Sequence, residues 1–155
     1  MNILLADDDM DDCFFFKKAL EELQLSTHLT IVRDGQQLMN YLSENSKNLP
    51  DVLFLDLNMP CKNGFECLCE IKEHESLKVI PVVMFSTSYP QDQIYETNMI
   101  NTLLKIGAYH FIRKPGDFAQ LKQVIHQTLM MFAERKSMNV QVRNLRSIHL
   151  PAGTN

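Results

Sequence analysis

Five short apolar runs, at 3–6, 29–32, 52–57, 79–85 and 109–112, alternate with amphipathic segments along the chain. Each run is bounded by Asp, Gly, Pro or Ser, and several are rich in Val and Ile. Runs that are apolar at nearly every position fit strands covered on both faces. The segments between them carry helical spacing. In 14–25, Phe16, Leu20 and Leu23 recur at i, i+4 and i+7. Leu38 and Leu42 follow Gly35, then Phe65, Leu68 and Ile71; a fourth segment spans 92–106 and a fifth runs from Asp117 to Phe132. Asp117, just after Pro115 and Gly116, is placed to cap that last helix. Strands alternating with helices predict an α/β fold, a doubly wound five-stranded parallel sheet with helices on both faces. Its chemistry belongs at the carboxyl ends of the strands.

A length of 155 residues favours one domain, and 45% hydrophobic with 22% charged residues is the balance of an ordinary globular chain. No run approaches the roughly 18 apolar residues of a membrane span. Residues 1–5 lead straight into aspartates with no basic signal segment, and four cysteines (13, 61, 67, 69) are too few for a disulfide framework. A reduced, cytoplasmic protein is the expectation. The net charge is −4, and five aspartates crowd into 7–12, so the acidity is local.

That cluster lies where the first strand ends, at Asp7, Asp8 and Asp9. The third run ends in Asp56-Leu57-Asn58-Met59-Pro60, the fourth in Ser86-Thr87-Ser88, and the fifth in Arg113-Lys114-Pro115. Crowded carboxylates repel, so at least one should have a raised pKa unless a cation is present. Mg²⁺ suits such an edge, taking carboxylates, waters and phosphate oxygens. An aspartate beside it can carry a phosphoryl group, with Lys114 supplying fixed positive charge and Ser86 a hydrogen bond. Taken singly, each residue has an ordinary role: Asp9, Asp11 and Asp12 as a helix cap and dipole complement, Asp56 as a turn residue, Lys114 as a surface lysine.

The segments Ile3-Leu4-Leu5-Ala6-Asp7-Asp8-Asp9, Leu53-Phe54-Leu55-Asp56-Leu57-Asn58-Met59-Pro60 with Gly64, Pro81-Val82-Val83-Met84-Phe85-Ser86-Thr87-Ser88 and Phe111-Ile112-Arg113-Lys114-Pro115 occur in that order. Together they resemble the receiver domains of two-component response regulators, in the stand-alone single-domain form. The resemblance covers about residues 1–135. It implies the flavodoxin-like strand order 2-1-3-4-5, a receiver domain over 1–135 and a flexible C-terminal tail over 136–155. It implies phosphorylation of Asp56 from a sensor kinase phosphohistidine. Mg²⁺ would be held by Asp7, Asp8, Asp56 and the backbone carbonyl of Asn58. Ser86 and Thr87 would take the switch and phosphate-binding positions, with Phe111 rotating inward on activation and Lys114 on the phosphoryl oxygens. The Lys114–Pro115 peptide bond would be cis.

The function so implied is a phosphorylation-switched interaction module that catalyses only its own phosphorylation and dephosphorylation. Its partners would be a sensor histidine kinase, of the phytochrome-like or hybrid type that such short members serve, and a downstream protein. It would be a monomer or weak dimer, with neither membrane nor direct DNA contact. The alternative is a Mg²⁺-dependent aspartyl-nucleophile phosphatase of the haloacid dehalogenase type. That family wants a second acid where this chain has Asn58, and its nucleophile follows the first strand of its core, not the third. A flavin-binding flavodoxin is disfavoured because the acidic loop after the first strand would repel a phosphate.

Three departures carry further expectations. The stretch between Thr87 and Lys114 is roughly six residues longer than usual, over a turn and a half of helix. The surplus, near 97–104, should extend the fourth helix or add a loop. Met138, Val140 and Val142 alternate, which fits a short strand or arm less well than disorder. Cys67 and Cys69 face opposite sides of a helix and cannot share an ion, while Cys61 is placed near the site.

Overall fold

The computed structural model of the chain describes residues 1–87 and 93–148. Its elements alternate throughout: β1 (Asn2–Ala6), α1 (Met10–Leu23), β2 (His28–Val32), α2 (Gly35–Glu44), β3 (Val52–Leu55), α3 (Gly64–Glu73), β4 (Val82–Ser86), α4 (Gln93–Ile106), β5 (His110–Arg113) and α5 (Phe118–Ile148). The strands form one parallel sheet in the order β2-β1-β3-β4-β5. This is the expected fold.

Strand alternation sends successive apolar residues to opposite layers. Leu4, Ala6, Leu53, Leu55, Val82 and Met84 pack with buried residues of α2, α3 and α4. Ile3, Leu5, Val52, Phe54, Val83, Phe85 and Ile112 pack with α1 and α5. The central strands β1, β3 and β4 are therefore apolar at almost every position because both faces are covered. Phe16, Phe54 and Phe85 meet edge-to-face on the α1 side, with centroids 4.9–5.9 Å apart.

Local signals set the boundaries. Asp9 caps α1, accepting from the backbone N–H groups of Asp11 and Asp12, so the helix begins at Met10, before the apolar stripe does. Asp117 faces the N–H groups of Ala119 and Gln120 at 3.3 and 3.4 Å. The fourth apolar run begins at Val79, but β4 starts only after Pro81. Proline has no N–H for the ladder, and Val79 is exposed while Ile80 is buried. Residues 97–104 lie inside the continuous 14-residue α4 and not in a loop. Asp92 and Ser88 lie outside the described residues.

Over residues 136–148 the expected tail is helical, since α5 runs unbroken to Ile148. No Gly or Pro occurs between 117 and 150, and extending an existing helix adds a hydrogen bond for each residue fixed. Arg135 over the Tyr109 ring, 4.7 Å from its centroid, and Lys136 paired with Asp51 at 2.8 Å, tie the helix to the body. Residues 149–155 lie outside the described residues.

Candidate functional site

The sheet ladder itself delivers the site residues. One residue beyond β1, the Asp7 N–H donates to Val32 O at 3.0 Å; one beyond β3, the Asp56 N–H donates to Ala6 O at 2.9 Å; one beyond β5, the Lys114 N–H donates to Ser86 O at 2.9 Å. Each backbone is held by its neighbouring strand, so the side chains emerge together at the carboxyl edge.

Asp7 and Asp56 are buried, at 0% and 6% exposure, beside the fully buried Ser86, while Asp8 is exposed. Carboxylate oxygens of Asp7, Asp8 and Asp56 all lie within 4.8 Å of one another. Ser86 Oγ donates to Asp56 Oδ1 at 2.8 Å, and the backbone N–H groups of Leu57 and Asn58 also bond the Asp56 carboxylate. Asp7 Oδ1 accepts from the Asp9 N–H at 3.0 Å. Lys114 Nζ sits 2.7 Å from Asp7 Oδ2 and 3.7 Å from Asp56 Oδ2. Its ammonium also lies over the Phe85 ring, 5.8 Å from the centroid.

Burial raises the Asp7 pKa to about 6; the Lys114 ammonium pulls it back and the Asp56 charge adds to the rise. Burial likewise raises Asp56, against Lys114 and the hydrogen bond from Ser86. Burial lowers the Lys114 pKa, but the hydrogen bond to Asp12 and the close Asp7 carboxylate more than reverse this, and the ammonium stays charged. Desolvation rather than mutual repulsion is the main cause of both rises; the Asp56 charge is a lesser addition at Asp7 alone.

The donor set fits a hard divalent cation. It is all oxygen and carries three carboxylates. Asp7 Oδ2 is buried and, although close to Lys114, receives no aligned hydrogen bond from any described residue. That atom has a lone pair to give.

Thr87 is exposed directly after β4. Phe111 stands apart from the carboxylates, half-buried against the core on the α2–α4 side of the sheet. The expected cis bond at Lys114–Pro115 is corrected: no described peptide bond is cis. The trans form is the default for X–Pro by about 0.5–1 kcal/mol. In that form Lys114 already has both its backbone bond to Ser86 and its side-chain contacts. Cys61 is exposed in the loop after Asp56, and the buried Cys67 Sγ donates to Gly35 O at 3.7 Å, well away from any metal role.

Sequence reasoning missed one residue. Asp12, read as a helix-end acid, accepts a 2.8 Å hydrogen bond from Lys114 Nζ. Its position five residues after Asp7 gave no sign of this, because the rotational phase of α1 against β5 is a tertiary fact.

A parallel sheet whose carboxyl edge gathers three aspartates, a buried hydroxyl and a buried lysine is the arrangement of a receiver domain. This chain belongs to the response regulator receiver domain family, which it matches over residues 3–126. Response regulator Rcp1 of Synechocystis sp. is 39% identical over 97 residues, 59% of this chain and 65% of Rcp1, so the match spans just under two thirds of that relative. The crystal structure of the Mn²⁺-bound form of Rcp1 superposes with a TM-score of 0.68 at 29% identity, over 80% of this chain and 88% of that one. The phosphorylated cyanobacterial phytochrome response regulator RcpA superposes at 0.71 with 32% identity, over 85% of this chain and 93% of that one. Among the described residues no helix is long and apolar enough to cross a membrane.

Proposed function

We propose that this chain is a phosphorylation-switched response regulator that takes a phosphoryl group from a sensor histidine kinase onto Asp56. The observation that carries the reading is the Asp56 carboxylate itself. It is buried among Asp7, Asp8, Ser86 and Lys114, with one oxygen held by Ser86 and the other 3.7 Å from a lysine ammonium.

In the transfer, an Asp56 oxygen attacks phosphorus in line, the P–N bond of the donor phosphohistidine breaks, and the electron pair returns to the imidazole. The Lys114 ammonium offsets charge on the phosphoryl oxygens, and Ser86 Oγ is placed to hydrogen-bond one of them. Asp7, Asp8, Asp56 and the Asn58 carbonyl would hold Mg²⁺, which supplies further charge neutralisation at the transferring group. Water attack on the acyl phosphate later releases inorganic phosphate and restores the carboxylate.

The phosphoryl group adds roughly −1.5 to −2 charges. Movement of Ser86 towards it, followed by rotation of the half-buried Phe111, would reshape the surface of α4, β5 and α5 for a downstream protein. Similarity to the phytochrome response regulator RcpA supports a phytochrome-type donor.

Incubation with acetyl phosphate and Mg²⁺ should add one labile phosphoryl group by intact mass, and Asp56→Asn should abolish it. Unchanged labelling of Asp56→Asn would remove Asp56 from this role. Rapid turnover of p-nitrophenyl phosphate would favour a phosphatase instead.

A further inference from the structure

Lys114 Nζ has three protons and faces three carboxylates at unequal reach: Asp7 Oδ2 at 2.7 Å, Asp12 Oδ2 at 2.8 Å and Asp56 Oδ2 at 3.7 Å. Asp12 accepts an aligned hydrogen bond from it, whereas Asp56 is beyond hydrogen-bond range. Asp12 is also outside the trio of acids that could share a cation. Its carboxylate is not spent on capping α1 either. Asp9 Oδ1 takes the N–H groups of Asp11 and Asp12, and Asp7 takes the N–H of Asp9, so no reciprocal bond from Asp12 closes the cap.

We propose that Asp12 is a positioning residue for the phosphorylation reaction: it holds the Lys114 ammonium off Asp56 in the unphosphorylated protein and competes with the phosphoryl group for it. The proposal rests on the reading of Asp56 as acceptor. A phosphoryl group on Asp56 brings strong acceptor oxygens to the ammonium, and because Asp56 Oδ2 lies 3.7 Å away, the shift of Lys114 towards them lengthens an existing contact. Burial decides which. The side chain of Asp7 is 1% exposed and cannot be rehydrated, whereas that of Asp12 is 37% exposed and can trade the ammonium for water. Asp7 keeps the lysine and Asp12 gives it up. The resting protein is thus biased against the phosphorylated arrangement by one half-exposed ion pair.

Beryllium trifluoride, a phosphoryl mimic, titrated calorimetrically into the full chain at saturating Mg²⁺ tests this as an equilibrium. Asp12→Asn keeps the shape and an acceptor oxygen but removes the charge; it should bind the mimic about five-fold more tightly than wild type, the scale of a half-exposed ion pair. Asp11→Asn makes the same charge change on the neighbouring residue, and its affinity should stay within two-fold of wild type. A melting curve without metal checks that both variants fold, and a merely structural role for Asp12 would shift that curve without tightening the mimic. Unchanged or weaker binding by Asp12→Asn overturns the proposal, as does an equal gain in Asp11→Asn. If wild type itself fails to bind the mimic with Mg²⁺, the Asp56 reading falls and this proposal with it.

Discussion

Burial raises the pKa of Asp7 from 3.8 to about 6, despite the nearby Lys114 ammonium. In the metal-free protein the folded state therefore holds a proton on Asp7 that the unfolded chain has released, over the window between those two values. Stability falls as pH rises through that window, and the penalty is complete above about pH 6. The shift is worth on the order of 3 kcal/mol for a side chain this buried. Asp51, lowered by its bond from Lys136 against the burial that raises it, works in the opposite sense at lower pH. Comparison with Asp7→Asn isolates the effect. In chelator, urea titrations from pH 4 to 7 should show the variant gaining stability relative to wild type as pH rises. A difference that stays flat would mean Asp7 ionises freely in the fold. The same ionisation should make Mg²⁺ affinity climb towards pH 6 and then level off, since the ligand must be deprotonated to bind. Nothing in Asp7-Asp8-Asp9 distinguishes the buried acid from the exposed one. Which of them the fold desolvates depends on where β1 ends against β2, and that is fixed by the Val32 carbonyl on the Asp7 N–H.

The β3–loop–α3 unit places Asp56 through backbone contact. Gly64 opens α3 behind the Asn63 cap, where Asn63 and Glu66 exchange a reciprocal capping box. Its N–H donates to Leu57 O at 2.9 Å, and a Cβ there would stand 2.1 Å from the Asp56 carbonyl oxygen. Only glycine lets α3 approach the strand end this closely. Gly64→Ala should destabilise the fold by about 2 kcal/mol, the scale of backbone overpacking, and weaken acetyl phosphate labelling because the strain falls on Asp56. Gly116→Ala, with nothing within 4 Å of the added methyl, should leave urea stability within about 0.5 kcal/mol. If both variants are equally mild, α3 does not lock the acceptor. The strands and helices were readable here because each apolar run is bounded by a turn or cap residue, as Asp9, Asp34 and Asn63 show. Their ends were less so: Pro81 shortened one run, and Asp9 started α1 ahead of its apolar stripe.

Across the whole molecule, the sequence showed that four motifs reach one edge, because a parallel sheet puts the ends of β1, β3, β4 and β5 on the same side. It did not show how far α5 extends, since the core signal stops at Phe132 while nothing in the composition stops the helix. Alternating Met138, Val140 and Val142 gave no helical stripe and read as disorder, but three residues do not reverse a helix already nucleated over the preceding positions 118–137. The division of labour along α5 leads to a test. Leu129 and Phe132 are buried against the sheet, whereas residues 134–141 are all exposed, held by the Arg135–Tyr109 stack and the Lys136–Asp51 pair. Exposed pairs of this kind contribute at most about 1 kcal/mol each. Deleting residues 140–155 keeps both and removes no described buried side chain, so urea stability should change by less than about 1 kcal/mol, with beryllium trifluoride binding retained. Deletion from residue 129 removes two core side chains, each worth about 2–5 kcal/mol, and should leave no cooperative unfolding transition. A large loss from the shorter deletion would mean that the end of α5 packs on the body and belongs to the folding unit; a small one places the boundary of that unit near residue 139, inside a continuous helix.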